Sequence, residues 1–316
     1  HRLGGAKWQV IEGILKSFDL ALATHAENLG TLNEDGLKIP ASAKVLLYPL
    51  PFCPTDETFT IVRDWVLRGG VLYLSGDISY DEFHQRTRTN RLDELCGVRF
   101  LAENYPNISL NPTNSADQPC IKVEPASDVA GHGLTVKVLR RARDGAPLVV
   151  EHRVGSGTVI FSTDPIELHS LPTRRASDLA LYRSVLAAAA VNPIGMEPDD
   201  PSVHAFRVPM DDGGRVYVLF NTENAGPEKK VTLTDEQSPV TISVAPRHPA
   251  LLWYDGRGVL RAIEAQGGCA LANKTVLQDE TGGIVLSLDR QDIRSSRALL
   301  LMPLRSGSVR LVSNRK

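Results

Sequence analysis

Apolar residues recur at Trp8, Val10, Ile11, Ile14, Leu15 and Phe18, the three-and-four spacing that gathers side chains on one face of a helix. The pattern predicts a helix over 7–18, a short strand over 19–23 and a polar loop over 29–39. Residues 44–49 are instead a continuous apolar run, as expected of a strand buried on both faces of a parallel sheet. Pro54-Thr55-Asp56-Glu57 then reads as a helix start, with Thr55 as N-cap and Glu57 in the first turn. That helix runs through Ile61, Val62, Trp65 and Val66 to a Gly69-Gly70 stop, and 71–75 is the next buried strand. Strand, helix and strand with short links form a βαβ unit, which implies parallel neighbours.

A doubly wound domain opens on a strand, whereas this chain opens on a helix. The expectation is that the sequence begins inside a domain, downstream of a first strand, as the C-terminal part of a longer polypeptide. Beyond Asp77 the pattern gives a helix end at 93–96, a strand at 97–100, and an Asn- and Pro-rich loop at 104–119. Short strands follow at 120–124 and 134–139. A hairpin pairs 147–154 with 158–163 around Gly155-Ser156-Gly157, and a helix covers 177–190. After Asn192-Pro193 and Pro198-Asp199-Asp200-Pro201 the composition changes. Strands are predicted at 203–208, 215–221, 229–233, 240–244, 250–254, 259–265, 283–288, 297–304 and 309–312. Asp211-Asp212-Gly213-Gly214 and Asp255-Gly256-Arg257-Gly258 suit hairpin turns. The reading is a flavodoxin-like α/β domain over 1–195 and an all-β sandwich over 196–316.

Composition narrows the function classes. A net charge of −2 over 316 residues, with Lys and Arg scattered, gives no electrostatic case for nucleic acid or an anionic membrane. The longest apolar runs fall far short of the roughly 20 residues a spanning helix needs. Cys53, Cys96, Cys120 and Cys269 form no CxxC pair and read as buried free thiols, so neither redox compartment nor localisation is decided. No pattern implies a cofactor or a metal: the eight histidines include no HxH or HExxH spacing.

Candidate chemistry gathers after the second strand. In 64-DWVLRGGVLYLSGD-77 a helix, a Gly-Gly stop and a buried strand lead to Ser75-Gly76-Asp77, where many α/β enzymes place a nucleophile. A working elbow needs small residues two before and two after it. Tyr73 and Asp77 stand there instead, so Ser75 reads as a degenerate elbow position. Asp77, Asp81, Glu82 and His84 form a polar cluster at the sheet's carboxyl edge, where ligands bind in open α/β sheets. The Gly155-Ser156-Gly157 turn is followed by a strand and not a helix, which excludes a phosphate loop. Asn33-Glu34 lies in a loop with no identifiable partner carboxylate, so no acid/base pair is assigned. In the β-rich half Trp253 and Tyr254 are candidate sugar-stacking residues, with Phe206, Tyr217 and Phe220 as further aromatics.

The order of these features resembles the C-terminal half of glycoside hydrolases of the β-galactosidase clan, the family 42 type. The matching segments are Lys44-Val45-Leu46-Leu47-Tyr48-Pro49, Trp65 to Gly76, and Val154-Gly155-Ser156-Gly157-Thr158-Val159-Ile160-Phe161 with the helix after it. The resemblance covers about residues 6–195. It implies a class I glutamine-amidotransferase-like domain, known as the β-galactosidase trimerisation domain, closed by a small β-sandwich. It also implies an upstream catalytic TIM barrel, in the same or a separate chain, a homo-oligomer, and a carbohydrate substrate for the parent enzyme. In true amidotransferases a cysteine nucleophile occupies the turn where Ser75 stands, so no catalytic residue is carried over. Three functions follow: a non-catalytic accessory and oligomerisation region of a glycosidase, a carbohydrate-binding module, or an independent hydrolase or amidotransferase using Ser75 or a cysteine.

Overall fold

In the computed structural model the described residues are 2–25, 29–51, 53–87, 90–103, 119–126, 136–168, 176–236, 240–258, 260–264, 269–271, 276–277, 286–287, 301–303 and 309–311. Helix α1 spans Arg2–Ala23, so the strand expected at 19–23 is its last turn. Asp19-Leu20-Ala21-Leu22-Ala23 follows Phe18 with no Gly or Pro, and Ala and Leu are the strongest helix formers. The apolar stripe of α1 faces solvent: Ile11 is 47%, Ile14 48%, Leu15 65% and Phe18 40% exposed. Its opposite face, with Gly13, Lys16 and Ser17, is buried. Gly13 packs closely on this face, where a Cβ would lie 2.4 Å from Leu50 Cδ1. A bare backbone lets the helix approach where a side chain would hold it off.

Strand β1 (Val45–Pro49), helix α2 (Asp56–Leu67) and strand β2 (Val71–Ser75) form the predicted βαβ unit, with β1 and β2 parallel. Thr55 caps α2 from an extended backbone and its side chain accepts from Thr58 N. Phe59, Val62, Trp65 and Val66 bury one face of α2, each contributing on the order of 1.5–3 kcal/mol by removal from water. At the Gly-Gly stop Gly69 takes φ +115°, and a Cβ on Gly70 would collide with the Trp65 ring at 2.5 Å.

After β2 come the short helix α3 (Arg91–Cys96) and β3 (Val98–Glu103), which pairs with β4 (Ile121–Pro125) in a separate antiparallel ribbon. Strands β5 (Val136–Arg141), β6 (Pro147–Val154) and β7 (Gly157–Ser162) complete a five-stranded sheet of order β1-β2-β7-β6-β5. β7 runs parallel to β2 and antiparallel to β6. Strand β2 lies inside the sheet between β1 and β7 and is wholly buried. β1 lies at the edge and is mostly half-buried, which corrects the expectation of burial on both faces: an apolar run does not distinguish a central strand from an edge one. Helix α4 spans Ala176–Ala188.

Later strands are β8 (Met196–Glu197), β9 (Val203–Pro209), β10 (Arg215–Asn221), β11 (Lys229–Leu233), β12 (Val240–Val244), β13 (Ala250–Tyr254), β14 (Leu260–Glu264) and β15 (Cys269–Leu271). They form two antiparallel sheets, β14-β13-β10-β9 and β15-β12-β11-β8. Tyr217, Leu219, Leu252 and Tyr254 from the first share one buried cluster with Val231, Leu233, Ile242 and Val244 from the second. β8 and β15 are too short for their patterns to be read as strands. Of the strands expected at 283–288, 297–304 and 309–312, the described residues show short strands at Leu286–Ser287, Leu301–Pro303 and Val309–Leu311, and the remainder of those ranges lies outside the described residues. The chain divides into two units, residues 1–20 with 30–191, and 21–29 with 192–316.

Candidate functional site

The carboxyl ends of β1, β2 and β7 meet a buried polar cluster and, beyond it, a more open one. In the buried cluster Ser75 Oγ donates to Glu167 Oε2 at 2.9 Å and accepts from the Leu50 amide at 3.2 Å. Tyr73 OH and Tyr182 OH both donate to Glu167 Oε1, at 2.7 and 2.9 Å. Ser17 Oγ of α1 extends the chain, 2.7 Å from Tyr182 OH. Ser75 and Glu167 are fully buried. Burial raises the Glu167 carboxyl above the usual carboxylate range, although the bonds from Tyr73, Tyr182 and Ser75 pull the other way. Both tyrosines are pushed up, by burial first and then by the nearby Glu167 charge. A serine that attacks a substrate needs access and a base. Here the hydroxyl is sealed between a carboxyl group and an amide.

The open cluster holds the other predicted residues. Asp77 Oδ1 accepts from Ser79 N at 2.9 Å, and Asp81 Oδ1 accepts from Phe83 N and Gln85 N at 3.0 and 2.8 Å. These carboxylates therefore close turns of the loop after β2. His84 stands in that loop with φ +59°, and its Nδ1 lies 3.2 Å from Cys53 Sγ in the loop after β1. Among the described residues no group of three or more His, Cys, Asp or Glu is placed to hold a metal.

Arg91 ties the two loops together. Its buried guanidinium donates through Nη1 to Pro54 O at 2.9 Å and to Tyr80 O at 3.2 Å. Through Nη2 it donates to Asp56 Oδ1 at 2.6 Å. Sequence reasoning missed Glu167, Tyr182, Arg91 and the exposure of Cys53. Only Cys53 carried a signal, its place between a strand and a helix cap. Cys96 and Cys120 are buried thiols, as expected, but Cys53 is partly exposed.

In the β-rich unit strand alternation sends Trp253 and Tyr254 to opposite faces of their sheet. Tyr254 is fully buried in the core beside Tyr217, which removes it from any surface site. Trp253 is half-buried on the other face, which also carries Phe206 stacked on Phe220 with ring centres 5.5 Å apart. Tyr217 OH donates to Glu236 Oε1 at 2.6 Å, and Arg215 pairs with the same carboxylate.

The first unit is a mixed α/β structure whose edge loops follow parallel strands, and the second is built of antiparallel sheets. No family model matches the chain, and no curated protein matches it. Among solved structures the neighbours are GH42 β-galactosidases and related proteins. A β-galactosidase from Rahnella sp. R3 superposes with a TM-score of 0.53 at 15% identity, over 75% of this chain and 36% of that one. A GH42 β-galactosidase from G. stearothermophilus matches at TM-score 0.49 and 13% identity, over 67% and 32%. A β-galactosidase from Bacillus circulans sp. alkalophilus matches at TM-score 0.44 and 13% identity, over 70% and 32%. The likeness is one of fold, and the chain spans about a third of the length of these neighbours.

Proposed function

We propose that this chain is a non-catalytic accessory and oligomerisation region of a glycoside hydrolase, whose catalytic barrel is supplied by polypeptide outside these 316 residues. In this reading residues 1–195 are a flavodoxin-like, amidotransferase-like domain and 196–316 a β-sandwich. The fold shared with the Rahnella β-galactosidase supports the parentage. The observation that carries the non-catalytic role is Ser75, whose hydroxyl is buried and bonded to Glu167.

The stripe of Ile11, Ile14, Leu15 and Phe18 on α1 supports a packing role, since apolar faces of this kind mark contact sites. Its occupant in this reading is the remainder of such a glycosidase. The test is hydrolysis of 4-nitrophenyl β-galactoside by the 316-residue chain. No turnover is expected. Turnover that disappears when a carboxylate of this chain is replaced overturns the proposal.

A second reading, carbohydrate binding through the β-rich unit, rests on Trp253 and the Phe206–Phe220 stack lying on one half-exposed sheet face. Isothermal titration with galacto- and gluco-oligosaccharides decides it: heat that Trp253→Ala abolishes supports the reading, and no heat removes it.

A further inference from the structure

We propose that Cys53 and His84 form an acyl-accepting thiol–imidazole pair at the carboxyl edge of β1 and β2, taking acyl groups from small esters. Cys53 Sγ is the nucleophile and His84 its base. Three observations carry this. The two side chains come from different loops, 31 positions apart, and meet at 3.2 Å between Sγ and Nδ1, within reach for proton transfer. Cys53 is partly exposed and His84 exposed, whereas Cys96 and Cys120 are sealed in the core. The meeting is also built: buried Arg91 donates to the carbonyl of Pro54, next to Cys53, and to those of Ile78 and Tyr80 in the loop that carries His84. Arg91 is thus a positioning residue. Strand, nucleophile and helix follow in that order, with α2 starting just after Cys53. Ligands of open α/β sheets bind at this edge.

The chemistry balances with an ester as the only partner. His84 Nδ1 takes the thiol proton as Sγ attacks the carbonyl carbon, which requires the tautomer with hydrogen on Nε2. The C–O bond breaks, the alkoxide leaves with that proton, and Cys53 carries the acyl group as a thioester. Water then attacks with His84 again as base, the C–S bond breaks, and the thiolate recovers its proton as the acid departs. Burial, then Asp81 and Asp77, hold the Cys53 thiol above its ordinary value, against a smaller pull from Arg91. The Cys53 sulfur therefore rests as the thiol, and its proton leaves only during attack. This inference is independent of the glycosidase reading: the chain is non-catalytic there with respect to glycoside hydrolysis, a reaction the pair does not perform.

The test uses 4-nitrophenyl acetate with the whole 316-residue chain, following nitrophenolate release and mapping the acetyl group by mass spectrometry. Acetylation is expected on Cys53 and not on Cys96 or Cys120. His84→Asn, chosen because Asn tolerates the left-handed backbone, lowers the rate by on the order of 100-fold. Asp81→Asn keeps the turn-closing oxygen, removes a charge that holds the thiol up, and raises the rate. Circular dichroism confirms that each variant is folded. Acetylation of Cys53 at the wild-type rate in His84→Asn, or acetylation of other residues in its place, overturns the proposal.

Discussion

Ser75 Oγ lies 2.9 Å from Glu167 Oε2, joining the end of β2 to the short turn Ile166–Leu168 after β7. Around that contact Tyr73, Tyr182 and Ser17 complete a chain of hydroxyls in the interior. A buried polar network is stabilising only when every member is satisfied. Glu167→Ala leaves three hydroxyls without their acceptor, so we expect a loss of about 3 kcal/mol in denaturant unfolding.

Glu167 also makes stability depend on pH. Its folded-state value lies above its unfolded one, so the native state holds the proton more tightly across the interval between them. The contribution of this group is fully present below the ordinary carboxylate value and declines as pH rises through the raised one. Glu167→Gln has no such proton. Thermal unfolding of the two proteins across a pH series should show the Gln variant gaining on the wild type as pH rises through that interval.

Gly13 and Leu50 set how closely α1 packs. Gly13→Val should destabilise the chain by about 1–3 kcal/mol, the cost typical of overpacking, because its Cβ meets Leu50 Cδ1 at 2.4 Å. Leu50→Ala in the same chain should recover part of that loss. A double-mutant cycle of unfolding free energies measures the coupling, and purely additive effects would contradict the contact.

The exposed stripe of α1 makes the opposite prediction. Leu15→Glu, at 65% exposure, should change unfolding free energy by no more than about 0.5 kcal/mol. If the stripe is a contact surface, the same substitution lowers self-association in sedimentation or weakens capture of the glycosidase barrel that the proposed function calls for.

Tyr217 and Tyr254 share one core but differ in their hydroxyls. Tyr217 OH donates to Glu236, while Tyr254 OH is buried with no partner among the described residues. Tyr217→Phe should cost about 1–3 kcal/mol by taking a donor from a carboxylate. Tyr254→Phe should be neutral or stabilising, since it removes a desolvated hydroxyl and leaves the packing in place. Equal losses in the two variants would refute the difference.

The sequence by itself determined the local elements where one signal ruled alone. Thr55 as a cap, the Gly69-Gly70 stop, the hairpin at Gly155-Ser156-Gly157, and the spans of β10 to β13 follow from capping, turn chemistry and period-two alternation. Each depends on neighbours within a few residues. What the tertiary structure decided depends on partners far along the chain. The apolar stripe of α1 faces outward, while its Gly13 face packs close to Leu50. β1 became an edge because strand order is not written in hydropathy. Ser75 met Glu167 across 92 positions, and Cys53 met His84 across 31. Spacing within one element carries no information about such pairs, since only packing of the sheet and its loops brings them within hydrogen-bond distance.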